Sequence, residues 1–434
     1  MDCPSVAVCR ASALKRLKGA SMRILFSEGA STSARQAITA LGLKGHDIEI
    51  CDPSPLCMSR FSRFVSRFHR CPALGHDPQA YLSFVLDLIS GGRFDVLLPI
   101  HEQGFLFARV HEHILSHVAV ALPSFESYAR AHSKIAFSRL ASELGLPQPP
   151  TELVPTADEL QRIKNFPYFL KGAVGTASRS TWLINNSKDL QTGILELERN
   201  GAFAEPVLVQ QPEAGHIEHA QAVFCKGTLV GFHGYRQLSR GAGGGDAAKI
   251  SLLRPKVRSH MAHLGEHLHW HGALSVDYIL QGDIPLYIDC NPRLVEPMSA
   301  LLAGLDLTDL LLRVSRVEGV SRAGNSQQGV RTHSALQVLL GCAIRDGRRS
   351  SLLRECWLLL TNRGAYRDSR EELTPVRWDW MSIIPLIVTA LWLLVRPSAA
   401  IYLPEKGWGS HLLNPESIRK IRNLGWPSGP TAAT

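Results

Sequence analysis

Apolar and polar positions along the first part of the chain follow two alternating periods. "MRILFSEGAS", residues 22–31, sets a short apolar run before a small-residue turn, and "TSARQAITALGLKG" after it carries apolar residues at helical spacing. "HDIEICDPSP" supplies a second strand. In "YLSFVLDLISGGRFDVLLPIHE" an apolar-faced helix ends at a Gly turn and the buried-strand pattern "FDVLLPI" follows. Strand and helix patterns alternating at this pitch predict a doubly wound α/β domain over residues 22–125.

The pattern then changes. "SKIAFSRLASELGLPQPPTELV" reads as an amphipathic helix closed by Gly145 and stopped by prolines, then an extended segment. Strand-like runs dominate beyond it: "PYFLKG", "STWLIN", "VLVQQP", "AQAVFCKGTLVGFHGY", "GALSVDYIL" and "PLYIDCN", with helical stretches around 187–200 and 255–270. This predicts an α+β domain over 126–325, distinct from the first. Residues 326–434 differ again: six of the eight tryptophans lie at or after Trp357. "WMSIIPLIVTALWLLV" carries no charged residue and is flanked by Arg377 and Arg396. It is shorter than the roughly 20 residues that cross a bilayer. The run fits a buried core helix or, given its Trp and Arg flanks, an interfacial helix in peripheral contact with a membrane.

At 434 residues the chain is long enough for more than one core, and 45% hydrophobic with 20% charged residues is ordinary for a globular protein. The net charge of +9 points to anionic partners such as nucleotides, nucleic acid or acidic lipid. No dense Lys/Arg block with interleaved aromatics appears, so nucleic acid is not expected and much of the excess reads as scattered, solvated surface. The nine cysteines include no CxxC pair, which argues against a disulfide framework or Cys-rich zinc site. It favours a reducing, cytoplasmic setting, with membrane association left open. Residues 1–21 lack the apolar core of a secretory signal. Basic and free of acid after Asp2, they read as a transit-type leader or, preferably, as a translation start set upstream of Met22.

Within this frame "YIDCNPRLVEP", residues 287–297, interrupts an apolar strand with an acid, an amide and a guanidinium. Side chains alternate across a sheet, so Asp289, Asn291 and Arg293 share a face. If "QGDIP" is the loop to the preceding strand "SVDYIL", Leu280 pairs with Leu286 and Asp277 lands opposite Asp289. Facing carboxylates repel unless a cation lies between them. Oxygen donors from Asp277, Asp289 and Asn291 suit Mg²⁺ (or Mn²⁺), which shares its shell with phosphates. An exposed polar face without metal would account for the acids, but not for the Asn and Arg in register with them. "FLKGAVGTASRS" offers the opposite wall: Lys171 ends an apolar strand, and a turn through Gly172 and Gly175 can fold N–H groups over phosphate oxygens. A lysine before a glycine turn is common in any surface hairpin, so this signal gains weight only beside the acid pair.

Together these pieces resemble the ATP-grasp family, the group containing biotin carboxylase, carbamoyl-phosphate synthetase and D-alanine–D-alanine ligase, over about residues 22–320. The resemblance is carried by Lys134 in "SKIAF", Lys171 with its glycine turn, "VLVQQPEAG" as strand and hinge, and the acid strand ending in "DCNPR". It implies a pre-ATP-grasp doubly wound α/β domain, a two-lobed α+β ATP-grasp domain and a C-terminal appendage. It also implies ATP and Mg²⁺ (or Mn²⁺) as cofactors. Lys134 and Lys171 would bind ATP phosphates beneath the Gly172–Gly175 turn. Gln210 and Gln211, with Pro212 and Glu213, would hinge over adenine, and Glu218 would lie near the ribose. Asp277, Asp289 and Asn291 would hold the metal. Arg293, Lys171 and Arg236 would serve catalysis, and the "GAGGGDAAK" segment, 241–249, would act as a lid on phosphate or substrate. The reaction implied is phosphorylation of a carboxylate by ATP, then attack by an amine or similar nucleophile. Its partners are small-molecule carboxylates and amines, and an oligomer is left open.

His101 and Glu102, at the carboxyl end of "FDVLLPI", are candidates for the substrate pocket because ligands bind beyond strand ends in open α/β sheets. A loop-exposed polar pair is the plainer account of them. The chain departs from the family in carrying Asp where Asp277 and Asp289 replace the usual Glu, Gln210 for a common hinge acid, and Lys-Gly for the frequent Lys-Pro. Two readings of other classes remain. His263, Glu266 and His267 spell the inverted zinc-peptidase signature, with His260 one turn earlier. Alternatively, a nucleotide-binding pseudoenzyme could scaffold partners at a membrane surface through the Trp-rich region.

Overall fold

Ser31 accepts a hydrogen bond from the Ala34 amide and starts the helix Thr32–Gly42, and Asp77 with Pro78 does the same for Pro78–Ser90. These helices cross over a parallel sheet of β1 (Arg23–Phe26), β2 (Asp47–Asp52), β3 (Val65–Arg70) and β4 (Val96–Leu98), ordered β3–β2–β1–β4. Ile24, Phe26, Ile48 and Ile50 pack on one face, and Leu25 and Leu97 join Tyr81 and Val85 on the other. Both faces are dry, as a parallel sheet requires, and the doubly wound expectation holds. β3 was not legible: "VSRFHR" mixes Arg and His into an edge strand on which Ser66, Arg67 and Arg70 are exposed and His69 pairs with Glu49.

The computed structural model describes residues 21–175, 180–318, 320, 324–373, 378–403 and 409–425. The leader expected before Met22 lies outside them except for Ser21, as do Arg377 and the 176–179 tip of the glycine turn.

A second, antiparallel sheet contains β5 (Thr151–Val154), β6 (Tyr168–Lys171), β7 (Thr181–Ile184) and β8 (Val207–Gln210), ordered β5–β8–β6–β7. Helix Ser187–Arg199 seals it with Leu190, Ile194 and Leu197, spaced to share a face, against Val154, Tyr168 and Val209. This small lobe has its own core.

The third sheet has eight strands. β9 (His216–Cys225), β10 (Thr228–Arg240), β11 (Asp246–Leu252), β12 (Gly272–Gln281), β13 (Ile284–Asn291), β15 (Arg331–His333) and β16 (Ser369–Glu371) run in the order β13–β12–β9–β10–β11–β15–β16. The remaining strand, β14 (Gly324–Asn325), pairs with β10. Val257, Met261 and Leu264 of helix Pro255–His267 cover Phe224, Leu274 and Val276 on one face. On the other, Val223 and Ala273 meet Leu307 and Leu311 in the same apolar cluster as Ile24 and Phe26. The first domain and the large sheet therefore share a core.

The expected lid is a turn that runs into a strand. Asp246–Lys249 belong to β11, and residues 241–245 make the turn, with Gly243 and Gly244 at φ 58° and 78°, where side chains are disfavoured. Gln337 accepts a hydrogen bond from the Ala242 amide and pins that turn to helix Ala335–Asp346. β15 and β16 come from beyond residue 325, so the sheet continues into the expected appendage. The apolar run forms helix Ile383–Val395, and no described helix is long and apolar enough to cross a membrane.

Two buried ion clusters fasten the C-terminal region. Arg35 Nη2 lies 2.8 Å from Asp379, both without exposure, and Ser62 Oγ also donates to that carboxylate. Lys249 is clasped between Glu296 and Glu372. Removing one partner of a buried pair strands the other charge. Asp379→Ala should therefore lower the unfolding free energy by about 3–5 kcal/mol in urea titrations, while Arg35→Met with Asp379→Leu should recover most of the loss. Wild-type stability in the single variant would show that the pair carries no weight.

Candidate active site

The acid strands are built by a compensated slip. The β12–β13 hairpin is tighter than expected: Gln281 pairs with Ile284, so Gly282 and Asp283 alone form the loop, and Gly282 supplies the left-handed φ of 58°. Leu280 consequently pairs with Pro285, not Leu286. In that register Asp277 would face Ile288. A β-bulge between the Asp277 and Tyr278 pairings adds one residue to β13, and Asp277 comes to lie opposite Asp289 after all. The carbonyl of Ile288 accepts a hydrogen bond from Lys171 Nζ at 3.2 Å.

Each acid meets a cation of the protein itself. Lys134 Nζ is 2.7 Å from Asp289, and His219 Nδ1 is 2.7 Å from Asp277. His219 also lies 3.6 Å from the buried Asp246. Burial opposes its protonation, but the Asp246 and Asp277 carboxylates outweigh that and raise its pKa to about 10. His219 was not singled out in the sequence. Its signal was positional, since β9 borders β12 and places it directly across from Asp277.

Asn291 Nδ2 faces Asp277 at 3.4 Å, and Arg293 Nη2 donates to Asn291 Oδ1 at 3.2 Å. The expected run of acid, amide and guanidinium is thus brought together, though Arg293 sits just beyond the strand.

Lys171 reaches across from the small lobe. Its ammonium donates to Gln210 Oε1 at 2.7 Å, and Gln210 Nε2 donates in turn to Thr151. Burial lowers its pKa to about 8, with Lys134 adding to the effect and Asp289 opposing it. The glycine turn begins directly after it. Gly172 N bonds to Ser180 O, and the Ala173 carbonyl accepts from the Lys134 amide at 2.8 Å, fastening the turn to the first lysine. At Gly175, φ is 147° and a Cβ would lie 2.3 Å from Ser180 Oγ, so no side chain fits.

His101, Glu102, Lys134, Gly175, Asp289, Asn291 and Arg293 line one narrow cleft. The substrate-pocket candidates and the metal candidates therefore meet. His101 is buried and its pKa is pushed well down, which keeps the imidazole neutral. Glu102 accepts from the Leu413 amide, and His411 lies 2.9 Å from Asp52. A C-terminal segment thus closes over the strand ends of the first sheet, which nothing in the sequence signalled. The hinge residues 210–213 join β8 to β9, with Gln211 N on Pro150 O and Glu213 accepting from Gln281.

Two assignments are corrected. Glu218 is fully buried, and its carboxylate accepts from Arg254, Arg236 and Tyr278, so it is occupied as an anchor inside the protein rather than offered to a ligand. Arg236 pairs with Glu218, while the adjacent Tyr235 pairs with His219. Strand alternation therefore puts Arg236 on the sheet face opposite Asp277, away from the metal candidates. The zinc-peptidase pattern also fails to assemble. His263, Glu266 and His267 are exposed, His267 pairs with Glu143 at 3.2 Å, and His260 bonds to the Tyr287 hydroxyl. Among the described residues, only Glu28, Asp52 and His411 bring three such ligand atoms together.

Two lobes thus face one another, one offering a lysine and a glycine turn and the other a pair of facing acids. Comparison with known proteins agrees. The chain is 24% identical over 203 residues to the carbamoyl phosphate synthase large chain of Rubrobacter xylanophilus, a match covering 44% of this chain and 19% of that protein. The chain thus spans about a fifth of that curated relative. Among solved structures, it is similar to the biotin carboxylase domain of Hydrogenobacter thermophilus 2-oxoglutarate carboxylase, determined with MgADP and bicarbonate. The TM-score there is 0.56 at 16% identity, over 71% of this chain and 73% of that one. Staphylococcus aureus N5-carboxyaminoimidazole synthetase with ADP gives 0.56 at 14%, over 73% and 82%. L-Amino acid ligase from Bacillus licheniformis gives 0.52 at 14%, over 68% and 74%. No protein-family model matches the chain. The chain has the ATP-grasp fold.

Asp277→Asn should lower the His219 pKa from about 10 toward the ordinary imidazole range, because one of its two anions is gone. Histidine NMR titration reads this directly, and an unmoved titration would refute the pairing.

Proposed function

We infer that this protein is an ATP- and Mg²⁺-dependent ligase that activates a substrate carboxylate as an acyl-phosphate and passes the acyl group to an amine. The observation that carries this reading is the Asp277–Asp289 pair, flanked by lysines from two lobes, within an ATP-grasp fold. Two carboxylates and an amide oxygen are hard donors of the kind Mg²⁺ takes, so the residues fit the ion once the Asn291 oxygen is released from Arg293. When bound, Mg-ATP supplies the phosphoryl group and a cation that offsets its charge. Lys134 and Lys171 bind phosphate oxygens, the glycine turn excludes water above them, and Arg293 steadies charge on the transferring group. His101 and Glu102 form the substrate side of the cleft. There the carboxylate oxygen bonds to the γ-phosphorus as the bond to the bridging oxygen breaks and ADP leaves. The amine nitrogen then attacks the acyl carbon, phosphate departs with its bonding pair, and the nitrogen releases a proton. The free thiols of all seven described cysteines support a reducing, cytoplasmic setting.

A screen for ADP release against pooled carboxylates and amines tests the reading. Asp289→Ala and Lys171→Ala should each reduce turnover by at least about 10²-fold with the fold intact. Normal activity in either would sink the assignment. The lysine also sets a pH dependence. Because its pKa is lowered to about 8, its charge is present below that pH and lost above it. ATP affinity of the wild type should therefore fall as pH rises through about 8, whereas Lys171→Arg should stay flat because a guanidinium keeps its proton. Parallel profiles from calorimetry would assign the charge elsewhere.

A further inference from the structure

Helix Ile383–Val395 is apolar on both sides. Leu386, Ala390, Leu393 and Leu394 pack into a cluster with Leu336, Leu339 and Leu340 of helix Ala335–Asp346. The opposite side leaves Ile387, Val388, Leu391, Trp392 and Val395 in solvent, with Val395 74% exposed. Beside it, helix Arg349–Thr361 turns Leu353, Trp357 and Leu360 outward at helical spacing, and Leu360 is 87% exposed. Scattered surface leucines are ordinary, but adjacent apolar helix faces mark a contact surface.

The charges around this surface name what it meets. Between Arg345 and Arg396, the described residues include eight exposed arginines and two exposed acids, Asp346 and Asp368; Arg345 and Arg370 turn away to the Arg240 and Leu302 carbonyls. Two arginines are fixed at the margin of the apolar face: Arg349 donates to the Val395 carbonyl at 3.0 Å, and the Arg363 guanidinium lies 5.3 Å over the Trp357 ring. Tryptophans within a basic rim are the composition of a helix lying in a bilayer interface. The helix of 13 residues spans about 20 Å, short of the roughly 30 Å hydrocarbon core, so it would lie in the plane of the interface rather than cross it. A second copy is the poorer occupant, because an isologous contact sets the same patch against itself and brings two arginine rims together.

We propose that the face formed by helices Arg349–Thr361 and Ile383–Val395 docks the protein on a membrane surface bearing anionic lipid headgroups. This stands apart from the ligase chemistry, since none of the residues at this face lines the cleft. The docking face is nonetheless rigidly joined to the large sheet. Helix Ala335–Asp346 packs under it and, at the same time, holds the 241–245 turn through Gln337 and through Arg345 on the Arg240 carbonyl.

Sedimentation of the full chain with vesicles tests this. The protein should pellet with phosphatidylcholine vesicles containing phosphatidylglycerol and release as salt rises, because its arginine rim is screened. It should bind pure phosphatidylcholine far less. Val388→Ser with Leu391→Ser should weaken partition by about tenfold or more, since binding scales with buried apolar area. Leu360→Ser, at a position too exposed to affect folding, should weaken it to a smaller degree with an unchanged Tm. Failure to pellet with phosphatidylglycerol vesicles would overturn the proposal. So would equal binding to both compositions, or a stable dimer that Leu360→Ser dissociates.

Discussion

One extra residue in β13 holds the candidate active site together. Without the bulge at Ile288, strand alternation would send Asp289 to the wrong partner, and every polar group after it would shift by one place. With it, Asp277 and Asp289 face each other, Asn291 follows on the same side, and the Ile288 carbonyl is bonded to Lys171. Two carboxylates forced into this proximity must be neutralised. The protein does so with its own cations, Lys134 for one and His219 for the other. Their mutual repulsion is thus what recruits the surrounding basic groups.

The sequence showed much of this in outline. Buried strands with an apolar period, such as "FDVLLPI" and "GALSVDYIL", were legible because packing on a sheet selects their composition directly. The Asp277–Asp289 pairing was reached with a longer loop and a register one residue off, and the bulge cancelled the discrepancy. Arg236 and Glu218 were misplaced because a family motif does not state which way a strand's side chains point, whereas the register does. Short strands such as β15 and β16 carry no pattern of their own and exist only because β11 offers an edge. His219 and His411 depend on neighbours 58 and 359 residues away, respectively, contacts that no local window contains.

The C-terminal region is less an appendage than a brace. It adds strands to the large sheet, buries Asp379 against Arg35 of the first domain, and supplies Glu372 to Lys249. Its segment around His411 and Leu413 closes over the first sheet's strand ends. Clusters of this kind are weak sources of net stability but strong determinants of geometry, since few alternative arrangements satisfy every buried charge.

The reach of Lys171 from one lobe to the other has a mechanical consequence. Its ammonium is held by Gln210 on the small sheet and by the Ile288 carbonyl on the large one, so a single side chain ties the two sheets together. Any change that removes this ammonium would undo that tie between the two sheets.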